Sequence, residues 1–254
     1  TAVSRAVRTP SRAENDMHAN MPYTNQFLGG ASPLPILPIL FGSHNFQSEK
    51  LLAYELGYRH QFSNQASIDI AGFINDYSQL RDFSFGAFAL STGLPRHLVL
   101  PLTVDNKISA LTYGAEVSVD WKPTDQWRLQ GNYSYLNMDI ASNELLKNRD
   151  ASVAAASKAN PQHQLSLRSH YDLSDKLEVN FWLRYTSEIS FYRIPGFVTM
   201  DAKLVYKPTR STELFIVGQN LFSQHHREFV SDFFPIAHSF IDRGVYAGVQ
   251  WRFK

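Results

Sequence analysis

Residues Arg243 to Lys254 alternate at period two without a break. Val245, Ala247, Val249, Trp251 and Phe253 make one apolar face, while Gly244, Tyr246, Gly248, Gln250, Arg252 and Lys254 fall on the other. Successive side chains of a strand point to opposite sides of a sheet, so the alternation specifies two different surroundings. The pattern recurs along the chain. Leu111, Tyr113, Ala115, Val117, Val119 and Trp121 alternate with Thr112, Gly114, Glu116, Ser118, Asp120 and Lys122. Leu177, Val179, Phe181, Leu183 and Tyr185 alternate with Glu178, Asn180, Trp182, Arg184 and Thr186. Residues 52–58, 127–135, 165–173 and 198–206 repeat it, residues 67–83 and 213–229 do so less regularly, and residues 1–8 give a partial strand. The count is roughly ten strands of about 9–13 residues, the length that crosses a bilayer when tilted. The polar faces carry more Glu, Asp, Arg and Lys than a dry core accepts unpaired. A soluble sandwich also alternates, but an antiparallel transmembrane β-barrel, lipid outside and water within, fits the recurrence better.

The connections fall into two alternating kinds. Short polar turns stand at residues 63–65, 124–126, 174–176 and 209–212, and longer segments at 9–50, 84–107, 141–160, 187–196 and 223–242. Bacterial outer-membrane barrels show this asymmetry, with short turns in the periplasm and long loops outside. Residues 31–42, with Pro33, Pro35 and Pro38, are too short and too interrupted for a transmembrane helix. A formal net charge of +1 gives no electrostatic case for nucleic acid, and the absence of Cys excludes a disulfide scaffold or a Cys-based metal site. Tyr, Phe and Trp together make 13% of the chain, enough to furnish interfacial girdles. His170 and Asp172 share a polar face, but two residues on one strand define neither a nucleophile nor an activated water, so no enzyme is expected. His225 and His226, as neighbours on an extended chain, point to opposite faces, and no metal site is assigned to them.

Three segments carry a family resemblance: AVSRAVRTPSR at the start, VGQNLFSQHHREF with its Asn220-Leu221 pair, Phe222 and Glu228-Phe229, and the closing RGVYAGVQWRFK. Together they resemble TonB-dependent outer-membrane receptors. The resemblance implies a barrel of about 22 strands whose wide lumen is filled by an N-terminal plug. It also implies a TonB-binding segment ahead of the plug. With roughly ten strands counted, residues 1–254 are expected to be the C-terminal half of such a barrel, without the plug and the TonB-binding segment. The implied function is energy-coupled uptake of a scarce nutrient, most often a ferric siderophore. The implied partners are the TonB-ExbB-ExbD complex, reached through that N-terminal part, the protein's own plug, outer-membrane lipid and the cargo. No cofactor is implied. A passive porin is the rival reading, because half a barrel looks alike in both.

Two sets of site residues follow. On the lumen face, Glu55, Arg59, Glu116, Asp120, Arg128, Arg168, Asp201 and Lys203 are candidates to hold a plug through ion pairs and hydrogen bonds; otherwise they line a hydrated lumen. On the long loops, Arg12, Tyr23, Phe27, Phe85, Arg96, His97, His225, Arg227, Phe233 and Phe234 are candidates to contact ligand. Arg and aromatic rings suit anionic, aromatic iron chelates by paired hydrogen bonding and stacking; the alternative is that these rings pack the loops together.

Overall fold

The computed structural model describes residues 1–27, 30–142, 157–230 and 239–253. Strand β1 (Ala2–Arg8) leads into a short helix, α1 (Arg12–Asp16), and three strands β2 (His18–Asn20), β3 (Thr24–Phe27) and β4 (Gly30–Phe41). Long strands follow: β5 (Glu49–Ser63), β6 (Ala66–Phe85), a two-residue β7 (Ala89–Leu90), β8 (Leu98–Thr124), β9 (Trp127–Ser142), β10 (His163–Ser174) and β11 (Leu177–Thr186). The chain closes with β12 (Phe197–Thr209), β13 (Thr212–Gln219), a small pair β14 (His225–His226) and β15 (Ile241–Asp242), and β16 (Gly244–Trp251).

Ten strands form one antiparallel wall in the order β1-β5-β6-β8-β9-β10-β11-β12-β13-β16. Its register shows why the alternation matters. One rung runs Tyr58, Ile70, Val117, Tyr133, Leu165, Tyr185, Val198, apolar or aromatic at every step across seven strands. The adjacent rung runs Arg59, Asp69, Ser118, Asn132, Ser166, Arg184, Thr199, polar at every step. A one-residue slip in any strand would exchange the two faces, so the sequence fixes this register strongly. The apolar face stays open in the isolated wall, with Leu165, Tyr185 and Val198 all exposed, a band of the kind soluble monomers rarely leave to water. Lipid is its natural solvent.

Each short turn is built alike. The ladder shifts register next to it, between Gln61 and Ser63, Trp121 and Thr124, Asp172 and Ser174, and Tyr206 and Thr209. In three of the four, a hydroxyl accepts the backbone N–H two residues on: Ser63 from Gln65, Ser174 from Lys176 and Thr209 from Ser211. Small hydroxyl residues favour such turns for this reason.

The opposite rim departs from the sequence expectation. Residues 9–50 were expected as a loop, yet they hold α1 and three strands, and β4 runs parallel to residues 98–103 of β8. Residues 84–107 were also expected as a loop; instead β6 runs on to Phe85 and β8 begins at Leu98. The cause is a small apolar core above the wall, where Ile36, Phe46, Leu100 and Val104 are buried. The prolines of β4 cost it N–H donors but not acceptors, and Pro38 accepts from the Met21 N–H. The strand expected over residues 213–229 stops at Gln219. Asn220 turns the chain there with φ 54°, a left-handed conformation that Asn tolerates better than most residues.

Candidate functional site

The lumen face presents a row of charges, most of them satisfied within the wall. Arg59 pairs with Asp69 on the neighbouring strand. Asp120 accepts from Arg128 and from the Gln130 amide at 3.0 Å. Arg184 donates to Asp201 at 2.9 Å and to the Thr199 hydroxyl at 3.1 Å, while the second Asp201 oxygen accepts the Asn220 N–H at 2.9 Å. That last contact fixes the Asn220-Leu221 pair to the wall, together with the Asn220 amide on the Asp242 carbonyl and the Leu221 N–H on the Met200 carbonyl. Lys203 stands 3.8 Å from Glu213 and over the Phe215 ring.

Trp182 is the centre of this face. The guanidinium carbons of Arg168 and Arg184 each stand 4.2 Å from its ring centroid, and its indole N–H donates to the Ser166 hydroxyl at 2.8 Å. Stacking on an indole orients a guanidinium while leaving its N–H edges able to bond elsewhere. Among the described residues, Arg168 has no carboxylate partner, and neither Glu55 nor Glu116 has a cationic one. Of the eight lumen candidates, five are thus compensated in the wall and three offer uncompensated charge. Sequence reading placed Trp182 and Arg184 on this face but gave them no role; the signal available was their shared period with Asn180 and Glu178.

The long-loop rim is fastened by a buried carboxylate. Glu14, only 2% exposed, accepts from Arg8 at 2.6 Å, lies 3.5 Å from Arg81, and caps its own helix through the Ser11 N–H and hydroxyl. Hydrogen bonding from Arg8, foremost, and from Ser11 outweighs burial and lowers its pKa from 4.5 to about 2. Arg8 also donates to Glu49, and its guanidinium lies over Phe46. The Arg8 and Ser11 of the opening motif therefore tie the rim segment to the wall. Gly42 completes the tie, since a Cβ there would meet the Asn15 backbone at 2.5 Å.

The loop candidates divide. Tyr23 and His97 meet edge to face at 5.3 Å. Arg12 is 96% exposed beside Asp16, Arg96 is exposed, and Phe85 closes β6 opposite Leu102. His225 packs edge-on against Phe240, while its neighbour His226 turns inward, onto Phe197 and the Glu228 carboxylate. The pair thus diverges as strand geometry requires. Arg227 donates to the Arg193 carbonyl at 2.7 Å. Phe233 and Phe234 lie outside the described residues, as does the side chain of Phe27.

A family model, "TonB dependent receptor-like, beta-barrel", matches residues 1–221. Among solved structures, the siderophore receptor PirA from Acinetobacter baumannii is similar at 16% identity and a TM-score of 0.69, covering 99% of this chain and 38% of that one. The ferric enterobactin receptor PfeA from Pseudomonas aeruginosa, solved as a mutant, is similar at 13% identity and 0.67, with 98% and 37% covered. The pyoverdine outer membrane receptor FpvA, also from Pseudomonas aeruginosa, gives 16% and 0.63, with 82% and 30% covered. The chain spans less than two fifths of the length of each of these receptors. At such identities the likeness is one of fold.

Proposed function

The chain belongs to the TonB-dependent receptor β-barrel family, and from that membership we propose that it is the barrel part of a receptor for energy-coupled uptake of a ferric siderophore. Its place is the bacterial outer membrane, with the short turns in the periplasm and the α1–β4 rim outside. The observation that carries the reading is the family match over residues 1–221, and the asymmetry of the wall fits it. One mouth is closed off by two-residue turns, whereas the other bears a built rim presenting Arg, His and aromatic side chains. Arg12, Tyr23, Arg96, His97, His225 and Arg227 are the proposed cargo contacts, joined by Phe27, Phe85, Phe233 and Phe234. The three solved receptors named above are named for siderophores, and the cargo proposed here is of that class.

A plug held in the lumen is the proposed gate. Glu55, Glu116 and Arg168 are its strongest contacts, because their charges are uncompensated in the wall; Arg59, Asp120, Arg128, Asp201 and Lys203 contribute through bonds already shared. Coupling would run from the TonB-ExbB-ExbD complex to that plug. The test is uptake of radiolabelled ferric siderophores by host cells with and without the gene. The expected result is uptake that disappears on deletion and also when the membrane is de-energised. Uptake that persists without energy, scaling with solute size, would favour a porin. Single cysteines at Asp125 and Met21, probed on intact cells with an impermeant thiol reagent, should label at position 21 alone.

A further inference from the structure

Between β6 and β8 the chain folds through β7 into a hairpin whose largest apolar side chains face water. Its backbone is held in place: the Gly86 N–H donates to the Pro101 carbonyl at 2.8 Å, the Ser91 N–H to the His97 carbonyl at 2.8 Å, and the Gly93 N–H to the Ser91 hydroxyl at 3.2 Å. Yet Phe88 is 47% exposed, Leu90 55% and Leu94 91%. Leu90 pairs with Leu98, which shares its face of β8 with the buried Leu100. An apolar stripe thus leaves the rim core and continues into water along the hairpin. The three exposed side chains offer roughly 300–400 Å² at about 200 Å² each when bare, the size of patch that marks a binding surface on a soluble protein. From Phe83 to Val104 the sequence has no Asp, Glu or Lys, and Arg96 is its one arginine. The patch therefore complements a ligand that is apolar at one end and anionic at the other.

Bilayer lipid does not reach this patch. An apolar belt about 25 Å tall, crossed by strands tilted about 40° at about 3.3 Å per residue, takes about ten residues. Counted from Trp121 beside the short turn, the belt ends near Leu111, so Leu98 at the foot of the hairpin stands roughly 30 Å above it. A second protein is too large an occupant, since a stable interface buries about 800 Å² on each partner, about twice what the hairpin offers. An alkyl tail of about 8–12 carbons matches it, at about 30 Å² per methylene. We propose that Phe88, Leu90 and Leu94 seat the apolar tail of an amphiphilic iron chelate whose anionic head meets Arg96. The inference rests on the cargo reading above and narrows it to chelates that carry such a tail. Because the hairpin is already ordered, seating the tail costs little conformational entropy in the protein.

The test uses the full receptor on intact, de-energised cells, so that binding is read apart from uptake. The probes are a radioiron-labelled ferric tris-catecholate with a dodecanoyl tail, the same chelate with an acetyl group in its place, and radiolabelled dodecanoate, each corrected for binding to cells without the receptor. The tailed chelate should bind about tenfold tighter than the acetylated one. Leu90→Ser combined with Leu94→Ser should erase that advantage and leave the acetylated chelate unchanged, whereas Arg96→Gln should weaken both chelates alike. Leu94→Ser alone, at a side chain almost wholly in water, spares the fold and should cut the advantage about threefold. Heat-modifiable migration on gels reports that each variant is folded. Equal binding of the two chelates, an advantage that survives the leucine changes in folded receptor, or binding of none of the three probes would overturn the proposal. So would a Leu94→Cys receptor that an impermeant thiol reagent fails to label on intact cells, since the hairpin would then be covered by the rest of the receptor. Dodecanoate held through Leu90 and Leu94 with neither chelate bound would keep the tail site and overturn the iron-chelate reading instead.

Discussion

The wall and the long-loop rim are built by the same chain on different terms. In the wall, strands pair antiparallel in chain order, four of the pairs joined by two-residue turns, and the two faces separate lipid from water along every rung. In the rim, the contacts are made between distant residues: Gln47 with Asn106, β4 with residues 98–103, Arg8 with Glu49. Charges in the wall lie partly exposed on the lumen side and are met by residues one or two strands away. The decisive charge of the rim, Glu14, is buried and held by two arginines. Local pairing makes the wall readable and tolerant on its inner face. The rim depends on a few contacts that must all form together.

The strongest way to break this contrast is to put a charge on the lipid side of the wall. Val117→Arg or Leu165→Arg places a guanidinium on the outer rung, at a cost of roughly 2–4 kcal/mol near the bilayer midplane. Ser118→Arg or Gln164→Arg, one residue away, points into the lumen and should insert almost normally. The measurement is the fraction of heat-modifiable, folded protein in outer membranes. Equal losses in both sets would show that the faces are assigned wrongly.

A smaller effect tests packing within the wall. Phe73 lies across Gly114, where an added Cβ would meet the Tyr135 carbonyl oxygen at 2.1 Å and the Phe73 ring at 2.7 Å. Phe215 covers Gly248 in the same way, with a Cβ-to-ring approach of 2.4 Å. An aromatic ring laid over a cross-strand glycine restores the contacts the glycine lacks. Gly114→Ala should therefore cost about 1–3 kcal/mol through overpacking. Gly131→Ala, where a Cβ meets nothing within 4 Å, should stay within about 0.5 kcal/mol of wild type. Urea unfolding in lipid vesicles would separate the two, and equal midpoints would refute the packing account.

These cases also mark what the sequence reveals. Every lumen candidate, from Glu55 to Lys203, stands on the polar face, because period two and short turns leave a strand little freedom. The partners of those charges were not legible: Asp69, Arg184 and Glu213 find them through cross-strand register, which depends on where each turn and bulge falls. In the rim even the elements were misread. Residues 32–41 show no alternation, and their strand exists only because Leu98–Thr103, just over sixty residues on, offers an edge and a shared core. Glu14 falls within the long segment 9–50 and has no periodic neighbour to mark it. Nothing local announces that Arg8 and Arg81 converge on it, although Ser11 and Glu14 at capping-box spacing signal the helix start.

Glu14 supplies the mildest and most local test. Its carboxyl has a pKa of about 2 when folded against 4.5 as reference. Its stabilisation is therefore complete above pH 4.5 and is lost as pH falls through about 2. Both arginines are about half exposed, so the screened contribution is on the order of 1–3 kcal/mol. Glu14→Gln keeps the shape and removes the charge. Hydrogen exchange at the Gly42 and Ser43 amides, which bond to the Met17 and Glu14 carbonyls, reads the opening of the rim directly. At pH 7 the variant should exchange there about 10–100-fold faster than wild type, with wall amides unaltered. The gap should narrow on acidification and close near pH 2, where wild-type Glu14 also takes up its proton. A rim that opens equally in both proteins at pH 7, or a gap that widens in acid, would mean that the buried carboxylate does not hold the rim to the wall.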